Sequence, residues 1–309
     1  MPPGSARVAV VTGANKGVGF HVAAQLVASR LFGTVILACR DPDRGGAAAH
    51  QAGGVFLPLT VGDPQSALAL GRAVAERYGR CDLLVNNAAI AFKAADPTPF
   101  EAQTKPTLDV NFRGTLQVTE ALLPLLAAQP GARIVNVASM AGKLKQLSPA
   151  LQRQVATPTL TMARLHELVD AFEADVAGGR HAAAGWGRSN CARPAAVPDR
   201  EPRGPKMRAW VVLRLTVLFA CDTTMVLPPP ARAADGLSKL ALIAATKVLA
   251  RDHPSIRCNA MCPGYCDTDM SSHRGPRPPA DGAKIAVLLA TMEPAPTGAF
   301  YENMRESSW

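Results

Sequence analysis

The octet Thr12-Gly13-Ala14-Asn15-Lys16-Gly17-Val18-Gly19 ends a short apolar run beginning at Val8 and leads into an amphipathic one. Glycines at 13, 17 and 19 permit a tight turn in which backbone N–H groups approach an anion. The helix that follows points the positive end of its dipole at the same place. That is the chemistry of pyrophosphate binding. A second apolar run, TVILAC, ends in Cys39-Arg40-Asp41. A residue there faces an adenosine ribose: an acid accepts from the 2′-hydroxyl, whereas an arginine grips a 2′-phosphate. Arg40, with Lys16 as a second cation, favours NADPH over NADH. Further along, Asp235 and Lys239 stand four residues apart at the head of the helical stretch ARAADGLSKLALIAATK. One turn of helix puts a carboxylate and an ammonium on the same face.

These residues need a scaffold, and the hydrophobic pattern supplies one. VAVVTG, TVILAC, VFLPLT, CDLLVNNA and RIVNVAS read as buried strands. VGFHVAAQLVASRL, QSALALGRAVAERYG and a long stretch around 107 to 128 read as helices between them. Continuous apolar strands alternating with helices predict a parallel sheet covered on both faces. LTMARLHELVDAFEADVAGG, from residue 160, reads as an amphipathic helix closed by a glycine pair, IRCNAMCPG as another strand and KIAVLLATM as another helix. The fold class is therefore α/β: a doubly wound, Rossmann-type parallel sheet forming a single domain over residues 5–309. Residues 191–234 interrupt it with seven prolines, seven basic and three acidic residues and no sustained period. A disordered insertion is expected there, since loops of that length without structure of their own are uncommon.

Composition narrows the function classes. Apolar residues make up 48% and charged residues 18%, as in soluble globular chains. The net charge of +9 is scattered without a basic tract, so a phosphate-bearing cofactor explains it better than nucleic acid. The seven cysteines (Cys39, Cys81, Cys191, Cys221, Cys258, Cys262 and Cys266) are odd in number, and MPPGSARVAVVTG shows no apolar signal region. Free thiols in a cytoplasmic protein are expected. Cys258, Cys262 and Cys266 lack a C-x-x-C pair or a nearby histidine, so buried thiols are expected rather than a metal site. WVVLRLTVLFAC, residues 210–221, is too short to span a bilayer, and no membrane association follows from it.

The glycine turn, Asn86-Asn87-Ala88, Asn111, Ser139 and Pro263-Gly264 together resemble the short-chain dehydrogenase/reductase family. IAFKAADPTPF after the double asparagine, and the helical insert over 148–186, are similar to the monomeric NADPH-dependent carbonyl reductases. The resemblance covers nearly all of residues 6–190 and 235–309 and none of 191–234. It implies that Gly13, Asn15, Lys16, Gly17, Val18 and Gly19 line the pyrophosphate and phosphate site. Arg40 would hold the 2′-phosphate and Asn87 would lie against a cofactor ribose. Pro263, Gly264, Thr268, Asp269 and Met270 match a loop closing over the nicotinamide. Ser139 would hydrogen-bond a substrate carbonyl, with Met140 and Tyr265 flanking the pocket. Asn111 would support a proton relay, and Lys239 would bind the nicotinamide ribose and lower the pKa of a neighbouring phenol. A small-molecule carbonyl substrate and a monomer, whose insert blocks the usual dimer face, are implied as well.

In that family the proton donor is a tyrosine four residues before the lysine. This chain has only Tyr78, Tyr265 and Tyr301, and Y-x-x-x-K occurs nowhere; the position holds Asp235. Thr60 and Ala89 are lesser departures, at a usual aspartate and a usual glycine. Three readings of Asp235 compete: a helix N-cap paired with Lys239, a replacement acid, and the edge of translated non-coding sequence. A carboxyl of pKa ~4 beside an ammonium is ionised at neutral pH, which makes it a poor acid. The third reading has a specific basis. Deleting 191–234 leaves GWGRSN, one residue, then GLSK, the family spacing. A tyrosine codon TAC split after its first base would leave TGT, cysteine, at a donor and GAC, aspartate, at an acceptor. Cys191 and Asp235 stand there. The expected function is NADPH-dependent reduction of aldehydes, ketones or quinones to alcohols, at very low activity in this chain. The alternative is a non-catalytic NADPH-binding sensor or interaction protein; a weaker one makes 191–234 a docking or membrane-surface element.

Overall fold

The computed structural model describes residues 6–93, 96–186 and 232–309, with the backbone alone for 232 and 233. Strand β1 (Val8–Thr12) runs into helix α1 (Gly17–Ser29), and β2 (Thr34–Cys39) into α2 (Pro42–Ala52). Then come β3 (Val55–Pro58), α3 (Pro64–Tyr78) and β4 (Leu83–Asn86). Helix α4 (Phe100–Leu108) continues through a π turn (Asp109–Gly114) into α5 (Thr115–Ala127), which leads to β5 (Arg133–Val137). Helices α6 (Pro149–Val155) and α7 (Met162–Ala177) precede α8 (Arg232–Asp252), β6 (Arg257–Cys262) and α9 (Pro279–Thr291). A hairpin of β7 (Phe300–Glu302) and β8 (Arg305–Ser307) closes the chain.

The eight strands form one sheet in the order β3-β2-β1-β4-β5-β6-β7-β8, parallel except for β8. Strand order reverses between β1 and β4, the place where ligands of doubly wound sheets bind. Both faces of β1 are covered, which is why its sequence is continuously apolar. Val8 and Val10 pack with Leu70, Val74, Leu122 and Leu126 of α3 and α5. Ala9 and Val11 pack on the other side with Val22, Leu26, Ile285 and Leu289 of α1 and α9. The doubly wound α/β class expected from the pattern is what the chain adopts.

A third apolar cluster explains the 148–186 insert. Leu165, Leu168, Val169, Phe172 and Val176 of α7 bury against Phe100 and Phe112 and against Leu237, Leu240 and Ala244 of α8. Trp186 joins them, its indole N–H donating to Asp175 at 2.9 Å.

Two expectations are corrected, and two elements carry no signal in the sequence. The helix read at 107–128 begins at Phe100 and carries the π turn. Helix α2 escaped notice because GGAAA has no apolar stripe, although Asp41 caps its N-terminus by accepting from Arg44 N–H at 2.9 Å. The hairpin β7–β8 has strands of three residues, too short to show alternation. Finally, α8 begins at Arg232, so Asp235 lies inside its first turn and is not an N-cap. Cys191, Cys221, the apolar burst at 210–221 and the rest of the expected insertion up to residue 231 lie outside the described residues. Cys258 and Cys262 lie on β6 and Cys266 in the loop after it, all buried. Among the described residues no helix is long and apolar enough to cross a membrane.

Candidate active site and dinucleotide groove

Two strand ends meet at the switch point. Thr12 Oγ1 accepts from the backbone N–H groups of both Asn87 and Ala88 at 3.0 Å. The Asn87 amide donates to the carbonyls of Thr12 and Gly13 at 2.9 and 3.2 Å. The turn between is packed too tightly for side chains. A Cβ on Gly13, which has φ +64°, would lie 2.8 Å from Ala88 Cα, and one on Gly19 would lie 2.3 Å from Asn87 Nδ2. Asn15, Gly17 and Val18 are half-buried along the same edge, and Lys16 is exposed at the N-cap of α1. No side chain caps that helix and its first turn has no acid, so the turn keeps its N–H donors and positive potential.

Arg40 is exposed directly after β2. Arg44, one turn along, was not singled out from the sequence; it pairs with Asp41 at 2.6 Å. The Arg44 backbone N–H and then its side chain hold the Asp41 carboxyl below its ordinary range.

The third wall is the loop after β6. Pro263 O accepts from Arg277 at 3.0 Å, and Gly264 (φ +81°) lies under that guanidinium, where a Cβ would be 2.6 Å from Nη1. Thr268 and Asp269 open a short turn whose next residue, Met270, is exposed. Thr268 N–H is held by Ser271 Oγ at 3.1 Å. Asp269 pairs with Lys16 at 2.5 Å, and His273 bridges Asp267 and Asp269 at 2.8 and 3.0 Å. Lys16 first, then His273, hold the Asp269 carboxyl below its usual range.

Beside this groove four expected residues converge. Ser139 leaves β5 in extended conformation, and its Oγ accepts from Ala141 N–H at 3.1 Å in the turn Met140–Gly142. Gly142 presses on α8: a Cβ there would meet the Lys239 carbonyl carbon at 2.7 Å. Lys239 is 7% exposed and donates to the Val137 carbonyl at 3.0 Å. Burial pushes its pKa down, while the charge of Asp235 pushes it back up. Asn111, in the π turn, exchanges hydrogen bonds with the backbone of Ile90 at 2.8 and 2.9 Å. Its amide nitrogen also lies 3.2 Å from Ser238 Oγ and 3.5 Å from Asp235 Oδ1. The π turn is a local change of hydrogen-bond partner that periodicity does not disclose.

The chain's relatives fit this geometry. Residues 7–150 match the family model described as short chain dehydrogenase. Human carbonyl reductase [NADPH] 1 is 36% identical over 98% of both chains, and the rat protein of that name 34% identical over 98% of both. The chain belongs to the short-chain dehydrogenase family. Among solved structures, salutaridine reductase from Papaver somniferum superposes with a TM-score of 0.75 at 27% identity, covering 96% of this chain and 99% of that one. Menthone neomenthol reductase from Mentha piperita gives 0.70 at 28%, covering 96% and 98%.

Asn86, part of the motif read from the sequence, donates to Thr119 and Asn136 at 3.0 and 2.9 Å beneath the strand ends. Other residues that brace this short-chain dehydrogenase site were missed in the sequence. Trp309 donates to the Gly142 carbonyl at 2.9 Å, and Lys143 reaches Glu302 at 2.7 Å. The C-terminal hairpin therefore clamps the Ser139 turn from outside. A lone terminal tryptophan and a scattered lysine carry no spacing that would have announced this. None of Tyr78, Tyr265 and Tyr301 lies on α8: they end α3, follow β6 and sit in β7.

Proposed function

We propose that this chain has the scaffold of an NADPH-dependent carbonyl reductase, converting aldehydes, ketones or quinones to alcohols, with catalysis crippled at Asp235. The convergence of Ser139, Asn111 and Lys239 beside a glycine cradle is the observation that carries this reading. It is supported by relatives named carbonyl reductase [NADPH] 1. The cradle fits a dinucleotide: Gly13 and Gly19 leave no room for a Cβ, and the uncapped start of α1 offers N–H donors to a pyrophosphate. Gly13, Asn15, Gly17, Val18 and Gly19 would form that floor. Lys16 and Arg40 would meet the 2′-phosphate, and Asn87, Lys239, Pro263, Gly264, Thr268, Asp269 and Met270 would enclose the nicotinamide end. Bound there, NADPH would supply a hydride to the carbonyl carbon.

The chain's own residues must then manage the oxygen. Ser139 Oγ would donate to the carbonyl oxygen and stabilise charge growing on it. Asn111 would hold a water between Ile90 O and the head of α8, a route for protons. Lys239, as an ammonium, would hold ribose hydroxyls and favour an ionised neighbour. That neighbour is a carboxyl group: the charge of Asp235 raises the pKa of Lys239, and as a carboxylate it donates no proton and opposes an oxyanion. Very low turnover is the consequence. The rival reading, an NADPH-binding sensor that has lost its acid, keeps the cradle and drops the chemistry.

A single domain over 5–309 interrupted at 191–234, a monomeric state and a cytoplasmic location belong to the same proposal. Helix α7 lying over α4 and α8 supports the monomer. Trp186 and Leu237, which flank the interruption, share one apolar cluster, so the scaffold closes across it, which supports 191–234 as translated intron. Uninterrupted coding of 191–234 in the only mature message would sink that part. For the function, NADPH oxidation with a broad carbonyl panel is compared between the chain and Asp235→Tyr. The proposal expects NADPH binding by both and greater turnover in the variant; absence of NADPH binding in both sinks it.

A further inference from the structure

The ion pair between Lys16 and Asp269 places one of the two cations expected at the 2′-phosphate against a carboxylate of the opposite wall. The two walls are already in touch here: a Cβ on Gly17 would lie 3.5 Å from Thr268 Cγ2. Asp269 is also aimed. One carboxylate oxygen takes Lys16 and the other takes His273 at 3.0 Å, while the second ring nitrogen of His273 is 2.8 Å from Asp267. Only an imidazolium donates from both nitrogens, so this arrangement fixes the Asp269 side chain rather than leaving it to wander. The left-handed backbone at Ser272 (φ +53°) and His273 (φ +56°) turns the ring back over both acids.

A carboxylate held this way is a competitor. We propose that Asp269 sets the discrimination between NADPH and NADH by competing with the 2′-phosphate for Lys16. This rests on the reading of the groove as an NADPH site. A plain 2′-hydroxyl gains far less from Lys16 than a 2′-phosphate does, so the pair weighs little on NADH binding. A 2′-phosphate must draw Lys16 away from Asp269, and its net benefit is reduced by what that pair was worth. Lys16 and Asp269 are both about half exposed, so the pair is a weak competitor and tunes the preference without abolishing it. Arg40, exposed after β2 and paired with no acid among the described residues, supplies the remainder of the phosphate site.

The test is equilibrium titration of the full-length chain with NADPH and with NADH, followed by nicotinamide fluorescence at low salt. The chain, Asp269→Asn, Lys16→Met and the double variant are compared. All these side chains are exposed, and thermal melts verify that each variant is folded. Asp269→Asn should raise the NADPH-to-NADH affinity ratio by about two- to five-fold, the range of an exposed pair. Lys16→Met should lower the ratio, and adding Asp269→Asn to it should change nothing further. An unchanged ratio in Asp269→Asn, or the same gain with Lys16 absent, overturns the proposal while leaving the NADPH site standing. Binding of neither dinucleotide by the unaltered chain removes the site and the proposal together.

Discussion

Asp235 Oδ1 lies 3.5 Å from the Asn111 amide nitrogen, and its charge opposes the burial that depresses the pKa of Lys239. The aspartate is thus wired into the residues expected to do the chemistry, on the first turn of the helix that carries the lysine.

Lys239 should leave a mark on the pH dependence of stability. Its folded pKa lies below the ordinary 10.5, so the unfolded chain holds the extra proton between the two values. The fold therefore carries a penalty below the folded pKa, and that penalty fades as pH rises toward 10.5. A tenfold change in proton affinity corresponds to about 1.4 kcal/mol. Urea midpoints for the chain and Lys239→Met across the alkaline range should show the difference changing with pH in that direction; a constant difference contradicts the assignment.

Asn111→Ala removes both hydrogen bonds to Ile90 and leaves half-buried backbone groups unpaired. A loss of about 1–3 kcal/mol in chemical denaturation is expected.

Gly19→Ala drives a methyl into the Asn87 amide and the Gly13 carbonyl. Overpacking of about 1–3 kcal/mol should appear in denaturation, and NADPH titration should show weaker binding because the glycine turn must move.

Phe172→Ala opens the cluster between α7 and α8, where Phe172 is 2% exposed. About 3–5 kcal/mol of stability should be lost.

Burial pushes the thiols of Cys81 and Cys258 up to about 12. Native alkylation near pH ~8.5 should spare both, and unfolding should expose them, as peptide mapping would show.

The sheet was legible because its central strands are buried on both faces, so VAVVT and TVILAC read as nearly unbroken apolar runs. The glycine turn was legible because its spacing answers to a backbone requirement that Gly13 displays in its positive φ. What escaped was held by contacts without a local period. Helix α2 rests on a capping aspartate and alanines, and the π turn at Asn111 is a change of hydrogen-bond partner inside a helical stretch. The clamp from Trp309 to Gly142 joins residues remote in sequence. The reading of Asp235 as an N-cap fails because α8 extends back to Arg232, which puts Asp235 within the first turn.

The most direct test is NADPH-dependent reduction of a carbonyl panel by the chain and by a version lacking 191–234 with Tyr in place of Asp235. The scaffold reading expects both to bind NADPH, the chain to turn over very slowly and the repaired version to reduce at least one carbonyl class well above it. A repaired version that binds NADPH and reduces nothing would contradict the reading of this site as a carbonyl reductase.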